Sequence, residues 1–154
     1  MVNRDKAIID FINQCPAIAE NDLFFNYVEG DDSINQFITV SDAKLKSFID
    51  GSVLKVYTFT IASYKFIGIR PVTNEYDENM EKMAEVRAII EWIEEQNALK
   101  NFPDFGEGLV VEKMECSSDE PMVNGMESDN PPLAKYSIPI RIEYLDMTSQ
   151  LWNK

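Results

Sequence analysis

Apolar residues recur every three or four positions in two parts of the chain, which is the spacing of a helix with one buried face. Residues 3–14 predict a short helix that has Asn3 as its N-cap and is stopped by Pro16. Residues 75–99 predict a long helix that is capped by Thr73 or Asn74. Its inward stripe consists of Met80, Met83, Val86, Ile89, Ile90 and Ile93.

Runs of β-branched and aromatic residues predict five strands. They cover residues 23–28, 34–40, 53–66, 109–116 and 134–147. The first two lie close enough in sequence to form a hairpin. Strand 53–66 carries strong β formers on both of its faces, which is typical of a central strand that is covered at least partly on both sides.

The last predicted strand alternates between apolar and polar residues, as a half-exposed antiparallel strand does. Pro139 lies within it and has no backbone N–H to donate. We therefore expect this part of the strand to lie at an edge of the sheet, or to turn its unpaired side outward.

Three segments show no helix or strand period. Residues 41–52 are mostly polar and predict a loop, in which Phe48 and Ile49 plug the edge of the core. Residues 117–132 are rich in proline and acidic residues and predict a flexible acidic loop. Residues 148–154 are expected to form a C-terminal tail.

The order of these elements predicts the fold class. Strands and helices do not alternate as βα units, so the expected class is α+β. We expect a mainly antiparallel sheet, with the N-terminal helix and the long helix packed on one face. A chain of 154 residues without a dividing linker predicts a single domain over residues 1–154.

Charge narrows the range of partners. Acidic residues outnumber basic ones by 27 to 14, and the formal net charge is −13. Such an excess repels phosphate backbones and anionic membranes, so we expect no sequence-specific nucleic-acid binding and no membrane contact. It either keeps the protein soluble or matches a basic protein partner. No apolar run nears the ~20 residues that cross a bilayer, and no secretory signal is evident, so we expect a soluble protein made in the cytoplasm.

The composition also argues against an enzyme. The chain contains no histidine, which excludes Ser–His and Cys–His nucleophile pairs and removes the commonest metal ligand. Cys15 and Cys116 lack the spacing of a metal or redox motif and are predicted to be buried thiols rather than a disulfide. The acidic pairs at 31–32 and 119–120 lack the spacing of a calcium loop. We expect no catalytic residues, no cofactor and no metal site.

The triplet Asp104-Phe105-Gly106 has the letters of the magnesium-binding triplet of protein kinases. A kinase also needs a catalytic-loop histidine and two lobes, which this chain lacks. The triplet is instead predicted to be a corner between a helix and a strand. Pro103 ends the helix, Gly106 takes an unusual backbone angle, and Phe102 or Phe105 anchors the corner to the core.

Four residues are candidates for contact with other proteins: Trp92, Phe105, Pro139 and Trp152. Tryptophan is enriched at binding hot spots, and Trp92 lies on the long helix, where core packing is an equally good explanation. Trp152 follows the last strand, so it either folds back on the domain or docks on a neighbouring subunit. Phe105 and Pro139 mark the corner and the expected sheet edge.

Extended phrases of the sequence resemble a known family. They are "RDKAIIDFINQCP", "FIDGSVLKVYTFTI", "VRAIIEWIEEQNALKNFPDFGEG" and "LAKYSIPIRIEYLD". Together they are similar to small siphophage and prophage structural proteins of low-GC Gram-positive hosts, often called minor capsid or tail terminator proteins. The resemblance runs over nearly the whole chain and contains no catalytic signature.

The resemblance implies a tail terminator-like fold and a structural role in the virion. Such proteins form a ring, commonly a hexamer, that caps the tail tube and then joins it to the head connector. The implied partners are other copies of the chain, the major tail protein and the head connector proteins. The implied location is the head–tail region of the virion, after assembly in the host cytoplasm. The alternatives are another head–tail adaptor, stopper or minor capsid protein, or a metal-dependent enzyme that uses carboxylates.

Overall fold

The computed structural model describes residues 4–19, 22–26, 34–67, 78–118, 120–129 and 132–151. The helices are α1 (Arg4–Ile12), α2 (Pro16–Ala19), α3 (Glu78–Leu99) and α4 (Thr148–Leu151). The strands are β1 (Asp22–Phe25), β2 (Ile34–Ser47), β3 (Val53–Phe66), β4 (Leu109–Cys116), β5 (Met122–Asp129) and β6 (Pro132–Asp146). The α+β class predicted from the sequence is confirmed.

The strands form one mixed sheet in the order β1-β2-β3-β6-β4, and β5 pairs with β6 beside β4. All pairs are antiparallel except β1 with β2, which run parallel, so Phe24 lies level with Gln36. The hairpin expected between the first two strands is therefore wrong. The hairpin partner of β2 is β3, because a tight turn at residues 48–52 reverses the chain, and Gly51 adopts a φ of 92° in it.

The expected loop at residues 41–52 is also wrong over most of its length. Strand β2 continues to Ser47, and its second half pairs with β3. Residues 39–50 are all exposed as whole residues, although the side chain of Asp42 is only 24% exposed, and this exposure explains why the segment looks like a loop in sequence. Phe48 is exposed and Ile49 is fully exposed, so neither side chain plugs the core.

The main core lies between the sheet and the helices α1 and α3. Alternate residues of β3 and β6, such as Phe59, Ile61 and Ile140, pack against Ile8 of α1 and Ile90 of α3. This confirms that the two helices lie on one face of the sheet. A smaller cluster of Ala62, Tyr64 and Leu133 occupies the opposite face, so β3 is covered on both faces as predicted.

The helices differ in detail from the expectation. Helix α1 ends at Ile12, and Pro16 begins the short helix α2, which agrees with the preference for proline in the first turn. Helix α3 follows its predicted inward stripe except at Met80, which is 60% exposed. The caps Thr73 and Asn74 and the start at residue 75 lie outside the described residues.

Strand β6 lies inside the sheet rather than at an edge, which corrects the expectation drawn from Pro139. One side of β6 pairs with β3 along its whole length, and the other side is shared between β4 and β5. Pro139 lies where β4 ends and β5 begins, and its carbonyl accepts a hydrogen bond from Ser117 N at 3.0 Å. The backbone nitrogen of Pro139, which has no hydrogen to donate, faces this boundary and not β3, so no hydrogen bond of the ladder between β3 and β6 is lost.

The expected flexible loop at 117–132 is wrong over residues 122–129, which form β5. The preceding turn is also tied down, because Arg87 of α3 pairs with Glu120 at 2.8 Å. The tail expected from residue 148 begins with the short helix α4. Residues 152–154 lie outside the described residues.

Candidate interaction surface

The aromatic residues singled out from the sequence belong mainly to the core. Phe105 is 1% exposed, and its ring meets the edge of Tyr144 at a centroid distance of 5.1 Å. Trp92 is partly buried and packs on Phe11, with their ring centroids 5.1 Å apart. Both are explained by packing. Trp152 lies outside the described residues, so its docking on a neighbour stays a prediction.

The Asp104-Phe105-Gly106 triplet forms the predicted corner. Gly106 and Gly108 adopt positive φ angles of 108° and 81°, and Gly106 N donates to Asp104 Oδ1 at 2.9 Å. Phe105 is the buried anchor. Helix α3, however, ends at Leu99, before Pro103, because Lys100 turns left-handed with a φ of 55°.

The feature that the sequence did not reveal is an open sheet edge on β2. Strand β1 reaches only as far as Phe37 of β2, and Asn26 extends this contact by accepting a hydrogen bond from Thr39 N at 3.0 Å. Beyond Thr39, no described residue pairs with the outer side of β2. Residues 40–47 therefore form an edge strand, which we call the open edge.

The backbone groups that the open edge presents can be assigned from the ladder with β3. Opposite residues of an antiparallel pair either exchange both backbone hydrogen bonds or none. Thr39 N donates to Asn26, away from β3, so Thr39 and Phe59 form a pair of the second kind. The two kinds of pair alternate along β3, so Tyr57 and Lys55 also exchange no backbone hydrogen bonds with their partners, Asp42 and Lys44. The N–H and C=O groups of Asp42 and Lys44 point outward.

The open edge also carries apolar side chains. Val40 is 61% exposed and Leu45 is 50% exposed, and each is the extra residue of a β-bulge relative to β3. Three phenylalanines outside the open edge are exposed as well: Phe24 and Phe25 of β1, and Phe48 in the turn that follows β2. Exposed backbone groups beside exposed apolar side chains are the features of a strand that pairs with another chain.

A polar cluster holds the open edge against α1 and β6. Asp42 of β2 accepts hydrogen bonds from Tyr144 Oη at 2.7 Å and pairs with Arg4 Nη2 at 2.7 Å. Tyr57 Oη donates to Asp5 of α1. Burial and these carboxylates raise the pKa of both tyrosines far above the ordinary value of 10.0. Both phenols therefore stay protonated and act as donors, so the cluster is built to fix the strand in place.

The far end of the edge is held by the C-terminal segment. Ser149 Oγ donates to Gly51 O at 2.9 Å, and Gln150 Nε2 donates to Asp50 Oδ2 at 3.1 Å. The hydrogen bonds from Ser52 lower the pKa of Asp50 below 3.8. Helix α4 thus braces the turn that follows the open edge.

At the opposite edge of the sheet, helix α3 contacts β4. Asn97 of α3 accepts a hydrogen bond from Met114 N of β4 at 2.9 Å, so the helix reaches over that edge. Val110 of β4 is exposed nearby. Among the described residues, the outer sides of β1 and β5 also have no strand paired with them, so the open edge of β2 is one of several unpaired edges.

Among the described residues, no group of three or more His, Cys, Asp or Glu side chains could hold a metal ion. Cys15 is buried, which raises the pKa of its thiol, whereas Cys116 is partly exposed and so departs from the prediction of two buried thiols. The two cysteines do not form a disulfide. Within the same residues, no helix has the length and apolar character needed to cross a membrane.

Comparison with known proteins identifies no relative, since no protein-family model and no curated protein matches this sequence.

Proposed function

We propose that the protein is a virion structural protein, a tail terminator that caps the tail tube and joins it to the head connector as an oligomeric ring. Its partners in this role are other copies of the chain, the major tail protein and the head connector proteins. The role itself comes from the resemblance of the sequence to phage structural proteins. It is not an enzymatic role.

The observation that supports an assembly role is the open edge at residues 40–47. The unpaired backbone groups of an edge strand can form hydrogen bonds with another protein chain. Here the edge combines outward backbone groups with the exposed side chains of Val40 and Leu45, and a rigid polar cluster holds it in place. This is a surface suited to contact with another protein chain.

The charge of the protein supports the same role. A formal charge of −13 repels the phosphates of DNA, which suits a ring through which DNA passes without being retained. It also favours contact with basic protein surfaces.

Deletion of the gene from its phage tests the proposal. We expect tails longer than normal that are not attached to full heads, because the tube is no longer capped. Tails of normal length would refute the terminator role and leave an adaptor or stopper as the better assignment.

Complementation links the role to the open edge. We expect the wild-type gene to restore joined virions and Val40→Lys to fail, because a charge is placed in the contact surface. Val110→Lys is the matched control, since Val110 is an exposed valine on β4. Failure of the control alone would argue against the β2 surface.

A metal-dependent enzyme that uses carboxylates is the rival from another class. Titration of the purified protein with calcium and with magnesium, followed by calorimetry, separates the two. Binding of either ion at micromolar concentration would favour that rival.

A further inference from the structure

We propose that two copies of this chain pair through their open edges, β2 against β2, about a twofold axis at Ala43. The pairing is antiparallel, and it joins the two sheets into one continuous sheet. It is inferred from the backbone and charges of β2, and it does not depend on the proposed function.

The first argument is the spacing of the outward backbone groups. Two bulges interrupt the ladder of β2 with β3, one between Thr39 and Ser41 and one between Lys44 and Lys46. The outward positions are therefore spaced unevenly, at Thr39, whose N–H is already bonded to Asn26, and at Asp42, Lys44 and Ser47. This uneven spacing is symmetric about Ala43. An arbitrary strand with regular spacing does not match it, whereas a second copy of β2 does.

The second argument is charge. In this register Asp42 of each copy lies opposite Lys44 of the other, and both residues have outward backbone groups. Opposite charges in directly opposed positions stabilise a strand pair. The contact occurs twice because of the twofold axis. Asp42 already accepts hydrogen bonds from Arg4 and Tyr144, and a carboxylate has room for one more donor.

Bulges and lysines ordinarily protect an edge strand from pairing. On β2 they exclude partners with regular spacing or with basic residues at the same positions. They do not exclude a second copy, because its bulges fall in the matching places and its Asp42 receives Lys44. The pairing is therefore selective for the chain itself.

The pair differs from the contact between neighbours of the proposed ring. Neighbours in a cyclic ring have the same orientation, whereas a twofold contact opposes two identical surfaces. We therefore assign the pair to the free protein. It covers the open edge of each copy in the free protein.

Site-directed cross-linking tests the register. In the proposed pair, Ala43 faces Ala43 of the second copy with Cβ atoms about 4.5–5.5 Å apart, close to the reach of a disulfide. The variant Ala43→Cys, in a Cys116→Ser background, should form a covalent dimer on mild oxidation.

Ser41→Cys in the same background is the matched control. Ser41 lies on the same strand and is also exposed, but its two copies would be roughly 13 Å apart in this register. A dimer from Ala43→Cys and none from Ser41→Cys supports the proposal. Absence of the Ala43→Cys dimer in a folded protein, or equal cross-linking of the two variants, overturns it.

Charge reversal provides a test without cysteine. Lys44→Glu places a glutamate opposite Asp42 at both symmetric contacts of the interface. Lys46→Glu makes the same change of charge, but the new glutamate lies opposite the uncharged Val40. We expect Lys44→Glu to raise the dissociation constant of the dimer about tenfold in sedimentation velocity, and Lys46→Glu to change it much less. A wild-type protein that stays monomeric at millimolar concentration refutes the pair and leaves the virion role to its own genetic test.

Discussion

Asp146 at the end of β6 joins three parts of the fold through one carboxylate. Its Oδ2 accepts a hydrogen bond from Lys55 Nζ of β3 at 2.7 Å, and its Oδ1 accepts bonds from Thr148 N and Oγ1 at 2.9 and 2.6 Å. The side chain is only 15% exposed. Replacing Asp146 with asparagine keeps an oxygen acceptor for Thr148 but removes the negative charge that forms the ion pair with Lys55.

The pKa of Asp146 sets the size of the expected effect. Burial acts to raise it, but the hydrogen bonds from Lys55 and Thr148 lower it from 3.8 to about 2. The difference, 3.8 minus 2, is about 1.8 pKa units, and at 1.36 kcal/mol per unit it corresponds to about 2.4 kcal/mol. Because solvent still reaches the ion pair, we expect Asp146→Asn to lower the free energy of unfolding by roughly 1–2 kcal/mol at neutral pH.

The dependence on pH follows from the direction of this shift. The folded-state pKa lies below the unfolded one, so the contribution of Asp146 is complete well above pH 4. It is lost as the pH falls through the range from about 4 to about 2. The difference in unfolding free energy between the wild type and Asp146→Asn should therefore shrink over that range.

Urea unfolding at several pH values measures this difference. Asp104→Asn is the control, because the exposed Asp104 makes one backbone hydrogen bond, to Gly106. We expect it to cost less than about 0.5 kcal/mol at any pH. Equal stability of the wild type and Asp146→Asn at pH 7, or a difference that does not change with pH, would refute the reasoning.

Three further predictions concern the core, the polar cluster and the C-terminal segment. Phe105→Ala should cost about 3–5 kcal/mol in urea unfolding because the side chain is fully buried, and Phe102→Ala should cost less because it is only partly buried. Tyr144→Phe should cost about 1 kcal/mol, because Asp42 keeps its pair with Arg4, and a loss below 0.3 kcal/mol would contradict the assigned hydrogen bond. A chain ending at Thr148 should show faster amide exchange in the turn after β2, measured by mass spectrometry, since α4 no longer braces it. If light scattering finds the assembly state of that chain unchanged, the docking of Trp152 on a neighbour is refuted.

The parts of the fold that the sequence predicts well are those with buried side chains. Strand β3 has strong β formers on both faces because both faces are covered, and its predicted bounds agree with the structure. Helix α3 and the corner at Phe105 are likewise determined by local signals. Apolar spacing and turn residues carry the information in each case.

The predictions that the structure contradicts concern segments whose conformation depends on residues distant in sequence. The residues in the second half of β2 are all classed as exposed, so burial leaves no alternation of apolar and polar residues in its sequence. Strand β5 forms because β6 offers free backbone groups beyond the end of β4. The parallel pairing of β1 with β2 has no local signature at all.

The open edge was missed for the same reason. The signals present in the sequence are the alternation Lys44-Leu45-Lys46 and the apolar pair of Phe48 and Ile49, which lie in the segment that the sequence predicts to be a loop. Only the pairing with β3 shows that these residues belong to a strand, and only the end of β1 shows that the strand is unpaired beyond Thr39.

Pro139 divides the outer side of β6 into a length that pairs with β4 and a length that pairs with β5, and its carbonyl accepts a hydrogen bond from Ser117 N, just beyond the end of β4. A fluctuation that separates β5 from β6 therefore has no continuous ladder along which to spread into β4. The two strands are able to open and close as separate units on a common support. We therefore expect the amides of β5 to exchange faster than those of β4, which is tied to α3 through Asn97.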